Sequence, residues 1–408
     1  MRVSRSSQRD ALAFRGARLF LGGQTLSFIG TFVQQFAQSW LVLQLTGDKR
    51  ALPASVALQT LPLLLLGSWA GALADRFDNR RLLLITNSLN AILAFTLAAM
   101  VATERATVPV VFVFAAIGGV IGAFDRPASQ AMLSELAPHS AVAGLVSLNA
   151  MIFPIARLVG PPVASALIGS SSIAMCFFVN AASFVVAAIS LLFIKSGDLH
   201  PRTKTPRAPG QIKAGFQYAK SDPIVGPGLI TMFVVGFAGF NFTMVMPMMA
   251  KFTFDASDAT LSVVLMLSAV GSLLGGVFSG RLGVPNLRTA GLAAVAFGVT
   301  LSAFGLAPNI GTWFGLSFVV GCTATLFTTL VVAILQTSSR PDMIGRVMAL
   351  YGIAFLGTTP LGAIAVALLS SAVSTRAPFA VGGVVVAGAG AWLLGQTKRS
   401  AAVVAIRH

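Results

Sequence analysis

Of the 408 residues, 56% are hydrophobic and 10% charged, against about 45–50% and 25% in soluble globular proteins; with a mean hydropathy of +0.85, this excludes a water-soluble domain. The formal net charge of +16 does not mark a nucleic-acid partner, because the basic residues fall in short clusters between apolar runs and form no contiguous basic domain with interleaved aromatics. Cys176 and Cys322 sit in apolar segments and His139, His200 and His408 are scattered, so no disulfide framework, metal cluster or cofactor is expected.

A spanning helix needs about 20 mostly apolar residues. Twelve stretches qualify, near 19–45, 52–74, 82–102, 108–131, 142–168, 173–194, 223–250, 259–281, 289–307, 312–336, 344–371 and 377–396. The longest polar interval, 195–222, divides them six and six. The expected fold is therefore an all-α membrane protein with an N-terminal six-helix bundle (1–194), a linker (195–222) and a C-terminal six-helix bundle (223–408). With the N-terminus placed in the cytoplasm, 22 basic residues fall in inside segments, five fall outside, and Arg157 lies within a span. That asymmetry puts both termini on the cytoplasmic side. The basic opening segment, MRVSRSSQRDALAFRGAR, reads as a cytoplasmic tail, since the apolar run behind it is long enough to span and lacks a small-residue cleavage site.

In the first span, Gln24, Ser27, Thr31, Gln34 and Gln38 recur at steps of three and four, one polar stripe on an apolar helix. Such a stripe either lines a watery cavity or hydrogen-bonds to neighbouring helices. The second span ends in GSWAGALADRFDNRR (67–81), which gathers five charges in seven positions in a chain with few. Gly67 and Gly71 stand four apart on one face, a spacing that lets another helix approach closely. In the fourth span, Asp125 is the candidate for proton coupling, set against its plainer reading as a structural ion pair at the cytoplasmic mouth. No acidic residue is placed at the middle of a span.

The fifth span carries Arg157 together with Gly160 and Pro161. An arginine at a helix centre costs about 2.5–3.5 kcal/mol on insertion scales, so it requires a partner or water. It could meet an anionic substrate group, pair with Asp125, or hold span carbonyls. The segment GQIKAGFQYAKSDP (210–223) predicts a short amphipathic helix at the inner membrane surface. In the seventh span, Phe237, Asn241, Met244 and Met248 share one helical face, open to packing or to an adaptable apolar ligand oriented by the one amide.

A shift of about 204 residues lays the second half over the first. LGSWAGALADR (66–76) meets VGSLLGGVFSGR (270–281), and LSELAPHSAVAGLVSLNA (133–150) meets LQTSSRPDMIGRVMALYG (335–352). Internal repeats of this kind belong to secondary transporters with a substrate site between the halves. On these residues the chain resembles the major facilitator superfamily over its whole length, its 67–81 stretch matching the loop motif Gly-x-x-x-Gly/Asp-Arg-x-x-x-Arg-Arg through Gly67, Gly71, Asp75, Arg76, Arg80 and Arg81. SFIGTFVQQFAQSWLVLQLTG (27–47), AFDRPASQAMLSELAP (123–138) and SLNAMIFPIARLVGPP (147–162) make it similar to the twelve-span drug, macrolide and siderophore exporter branch.

The resemblance implies a gate at the 67–81 turn, in which Asp75 contacts the other half, and a substrate cavity lined by Thr31, Gln34, Gln38, Arg157 and Asn241. It also implies an exporter's antiporter signature at Gly160-Pro161, although Ala156, Ala164 and Ser165 stand where further glycines are expected. The expected function is proton-coupled efflux of amphipathic or lipophilic small molecules by a monomer in the bilayer. A proton-coupled nutrient importer and a non-transporting scaffold are the alternatives. An enzyme is not expected, because the spans hold neither a Ser-His pair nor metal-ligand spacing, and no phosphate-binding loop for ATP occurs.

Overall fold

The computed structural model describes residues 12–200, 211–282, 284–340 and 343–407. The described residues are helical throughout, apart from turns and one 3₁₀ turn at Ser196–Asp198. We number the helices α1 (Arg15–Leu45), α2 (Ala51–Arg76), α3 (Asn79–Ala102), α4 (Val108–Glu135), α5 (His139–Ser170), α6 (Ile173–Leu192), α7 (Gln211–Ser221), α8 (Val225–Gly239), α9 (Phe242–Phe252), α10 (Asp258–Ser279), α11 (Leu287–Gly305), α12 (Ile310–Ser338), α13 (Ile344–Leu356), α14 (Thr359–Ala372) and α15 (Ala377–Arg407).

Ten helical stretches among the described residues are long and apolar enough to cross a membrane. Their outward side chains are apolar too: Ile92, Phe95, Leu368 and Val384 are all exposed. Rows of bare large hydrophobes have a physical sense only where the surrounding solvent is hydrocarbon. The chain is an integral, multi-pass membrane protein. Although α1 is 31 residues long, it is not among the ten. Its five glutamines, Gln24, Gln34, Gln35, Gln38 and Gln44, dilute an otherwise apolar helix.

The seventh and eleventh spans stand where expected, at Val225–Phe252 and Ile344–Ala372, but each is interrupted into two helices. The 223–250 span breaks at Phe240 and Asn241, whose ψ angles of 36° and 26° leave the helical region. The 344–371 span breaks at Gly357 and Thr358, between α13 and α14. Pro360 accounts for the second break: it has no N–H to donate and its ring crowds the carbonyl four residues back.

Two compact units emerge, one of Met1–Gly47 and Leu58–Thr205, the other of Asp48–Ala57 and Pro206–His408. In the first, α1 packs on α5 and α6, and α3 packs on α4 and α6. An apolar core of Phe20, Leu83, Met132, Leu136, Leu145 and Leu191 fills the end that carries the α2–α3 turn. In the second, α8 packs on α13 and α15, α11 on α12 and α15, and α10 on α12. The partners recur in repeat order: α1 with α5 and α6 in one unit, α8 with α13 and α15 in the other. Within α10 and α12 the approach is close enough that a Cβ on Gly271 or Gly321 would collide with the Phe318 or Ser268 carbonyl.

The amphipathic helix expected before the seventh span is α7. It packs on α13, with Gly215 against the Arg346 side chain. The Arg340 backbone N–H donates to the Tyr218 hydroxyl at 3.1 Å. Asp222 then starts α8, its Oδ1 accepting from the N–H groups of Ile224 (2.9 Å) and Val225 (3.0 Å). Phe216 and Lys220 lie on the exposed face of α7.

Candidate functional site

The charged turn sits where α2 gives way to α3. Gly67, Gly71, Asp75 and Arg76 occupy the last turns of α2; the side chains of Asp75 and Arg76 lie outside the described residues. Among the described residues no atom stands within 4 Å of where a Cβ on Gly67 would be. Asp78 is the N-cap of α3, accepting from the Arg81 N–H at 3.1 Å. A carboxylate at that position meets both orphan donors and the positive end of the helix dipole. Arg81 also reaches Asp78 at 3.9 Å, with side chains 85% and 52% exposed, an ion pair that contributes about 0–1 kcal/mol.

Arg80 turns the other way. Its Nε donates to the Leu191 carbonyl at 2.8 Å and its Nη2 to the Leu192 carbonyl at 3.0 Å. The guanidinium therefore closes the C-terminus of α6, where carbonyls lack helical partners and a cation is favoured.

Two further links join α3 to α4. Asn79 is buried and donates to Glu135 Oε1 at 2.8 Å. One face further along α3, Thr86 donates to Asp125 Oδ1 at 2.6 Å. Sequence reasoning missed Asn79 and Thr86 as partners. Their spacing of seven, which puts both on one helical face, was the available signal. Leu191 and Leu192 act only through backbone carbonyls and carry no sequence signal.

Two residues of the first-span stripe, Gln24 and Gln34, bond to neighbouring helices of their unit, whereas Thr31 is exposed. Gln24 donates to Ser129 Oγ on α4 at 2.5 Å, Thr31 to the Ser27 carbonyl of its own helix at 2.8 Å, and the Asn180 amide of α6 donates to Gln34 Oε1 at 2.7 Å. Gln38 is half-buried. A cleft between α1, α3 and α6 is lined by Gly23, Gln24, Leu83, Asn87, Ala187 and Leu191 and has a volume of about 10 Å³, about enough for one water molecule.

On α5, Arg157 is half-buried, whereas Gly160 and Pro161 are buried. A Cβ on Gly160 would lie 2.5 Å from Phe32 Cβ and 3.1 Å from the Phe32 carbonyl carbon. Glycine there lets α5 meet α1 backbone to side chain. Asn241 stands at the α8–α9 break, 4% exposed, with Nδ2 donating to the Phe237 carbonyl at 2.9 Å. Met244 and Met248 beside it are fully buried. The structure thus gathers Arg80, Asn79, Thr86, Asp125 and Glu135 at one end of the first unit. It sets Gly160 against Phe32 between α1 and α5, and it places Asn241 inside the second unit.

Comparison with known proteins gives a consistent outcome. The model of the family described as transmembrane secretion effector (MFS_3) matches residues 17–405. The macrolide efflux protein A of Streptococcus pyogenes is 23% identical over 377 residues, 89% of this chain and 91% of that protein. The staphyloferrin A transporter of Staphylococcus aureus is 25% identical over 262 residues, and that match spans 63% of this chain and 65% of the transporter's length. Among solved structures, the nucleoside transporter NupG superposes with a TM-score of 0.69 at 16% identity, covering 94% of this chain and 99% of the other. That likeness speaks to the fold.

Proposed function

Since the chain belongs to the transmembrane secretion effector family of the major facilitator superfamily, we propose that it is a proton-coupled exporter of amphipathic or lipophilic small molecules, working by alternating access. In this reading the transporter is a monomer of twelve spans in two six-helix bundles, 1–194 and 223–408, joined by 195–222, with both termini in the cytoplasm. Two of the spans are the broken pairs α8–α9 and α13–α14. The α2–α3 turn is then cytoplasmic, and its Asp75, Arg76, Arg80 and Arg81 serve the inner gate.

The observation that carries export is the α1–α5 contact at Gly160. An exporter-type Gly-Pro pair sits at a close contact between two helices, Gly160 against Phe32, on the spans that the family resemblance assigns to the cavity. The match to a macrolide efflux protein along 89% of the chain supports the same direction. Asp125 is the carboxylate we assign to coupling; its partner Thr86 sits on the helix that follows the gate turn. Thr31, Gln34, Gln38, Arg157 and Asn241 are the polar candidates for the cavity, and the amides of Gln34 and Asn241 make hydrogen bonds within their units.

Reconstitution into proteoliposomes with an imposed pH gradient, assayed against a panel that includes macrolides and lipophilic cations, tests the reading. Proton-gradient-dependent movement of at least one compound toward the acidic side supports export. Gradient-dependent uptake of a polar nutrient instead would establish an importer, and no gradient-dependent flux for any compound would leave a scaffold.

A further inference from the structure

The two helix breaks of the second unit lie against each other. A Cβ on Gly362, four residues into α14, would stand 2.6 Å from Asn241 Oδ1 and 2.9 Å from the Phe237 carbonyl oxygen, at the α8–α9 break. A Cβ on Gly236, near the end of α8, would stand 2.8 Å from Thr358 Oγ1 and 2.9 Å from the Ala354 carbonyl oxygen, at the α13–α14 break. Each discontinuity is therefore faced by a glycine of the other helix pair.

Each break also carries its own side-chain substitute for a backbone donor. Asn241 Nδ2 takes the Phe237 carbonyl, the acceptor that a continuous helix would have given to the Asn241 N–H. Thr358 is fully buried and its hydroxyl donates to the Phe355 carbonyl at 3.0 Å, with the Ala354 carbonyl at 3.3 Å. In a membrane interior, where no water is at hand to satisfy backbone groups, such substitutes make a break tolerable. Rings pack around the junction: Phe240 meets Phe355 edge to face at 4.9 Å.

The first unit has the matching contact without the breaks. Leu133 and Leu335 set an offset of 202 residues between the repeats, and the same offset carries Gly160 onto Gly362. Gly160 faces Phe32 of α1, and Gly362 faces Phe237 of α8. Yet α1 and α5 are both uninterrupted. One glycine contact, used twice, joins continuous helices in one unit and interrupted helices in the other.

We propose that the α8–α9 and α13–α14 breaks form one composite hinge in the second unit, pinned by Asn241 and Thr358 and kept tight by Gly236 and Gly362. Asn241 is then a positioning residue. It acts on transport by setting the angle between half-helices, and bending at either break requires bending at the other. This rests on the transport reading for its purpose, but the measurement below is independent of any transport assay, so the two can fail separately.

The test places nitroxide pairs across each break in the full chain in proteoliposomes, with Cys176 and Cys322 replaced by alanine. One pair is Ile230→Cys with Lys251→Cys, spanning the first break. The other is Ile353→Cys with Leu368→Cys, spanning the second. Asn241→Ala is expected to shift the mean 353–368 distance by about 2 Å, the size of helix shifts in conformational switching. Thr358→Val, the milder change, is expected to shift the 230–251 distance in return. Should Asn241→Ala fail to fold, Asn241→Ser and Thr358→Val carry the test. Changes confined to the mutated helix pair, with the other distance distribution superimposable on that of the parent, would overturn the proposal.

Discussion

Thr86 on α3 donates a 2.6 Å hydrogen bond to Asp125 on α4, which ties the assigned coupling carboxylate to the helix that begins at the charged turn. If Asp125 carries the proton, Asp125→Asn abolishes gradient-driven transport but leaves substrate exchange without a gradient near normal. Thr86→Val keeps the carboxylate and loses only its donor, so gradient-driven transport falls less than in Asp125→Asn. Parallel assays of driven flux and exchange in proteoliposomes check both variants. Equal loss of driven flux and exchange in Asp125→Asn would assign the residue to structure.

Arg80 holds the last two carbonyls of α6 through two donors. Hydrogen bonds to charged groups contribute about 1.5–3 kcal/mol; here one is part-buried and the other exposed and so screened by solvent, and Arg80→Ala should cost about 1 kcal/mol. Lysine brings one compact ammonium in place of a planar fork, so Arg80→Lys should recover part of the loss. Thermal unfolding of the purified protein reads both. Unchanged stability in Arg80→Ala would return the residue to a purely gating role.

Gly160→Val forces a branched side chain onto Phe32. Overpacking of this kind costs about 1–3 kcal/mol, and the compensating change Phe32→Gly should restore part of it, because the first atom met is the Phe32 Cβ, which glycine lacks. The expected result is low membrane abundance for Gly160→Val, partly rescued in the double variant. Independent, additive effects would mean that the contact does not govern the site.

Gln34 and Asn180 share one interhelical hydrogen bond. Such bonds average about 0.6 kcal/mol in a membrane protein, so Gln34→Ala should destabilise slightly and Asn180→Ala more, since Asn180 also accepts from Ser183, and the two together by no more than Asn180→Ala alone. A KM change found in Gln34→Ala but absent from Asn180→Ala would mark the glutamine as a substrate contact in addition.

The apolar runs were legible because hydrocarbon imposes a length and composition that few other environments require, and α3, α4, α6 and α10 lie close to where those runs place them. The breaks were not. From 223 to 250 the residues are apolar apart from Thr231, Asn241 and Thr243, so periodicity carried Phe237, Asn241, Met244 and Met248 along one continuous face. The turn at Phe240 and Asn241 interrupts that face, and burial then hides both methionines. The stripe of α1 was visible as a pattern, but its direction was not: whether Gln34 meets water or Asn180 depends on a helix 146 residues away. At the charged turn, the cluster itself announced a site. The division of labour within it, with Asp78 capping one helix and Arg80 closing another, depends on where α6 ends.

The packing of α9 has a chemical consequence. Met244, Met246, Met248 and Met249 fall within six residues and all are fully buried, so a dissolved oxidant has no route to four thioethers that would otherwise convert readily to sulfoxides. Exposure of those sulfur atoms during the transport cycle would leave a covalent record. Peroxide treatment followed by mass spectrometry of this one segment would then count how often the protein opens, with no label attached.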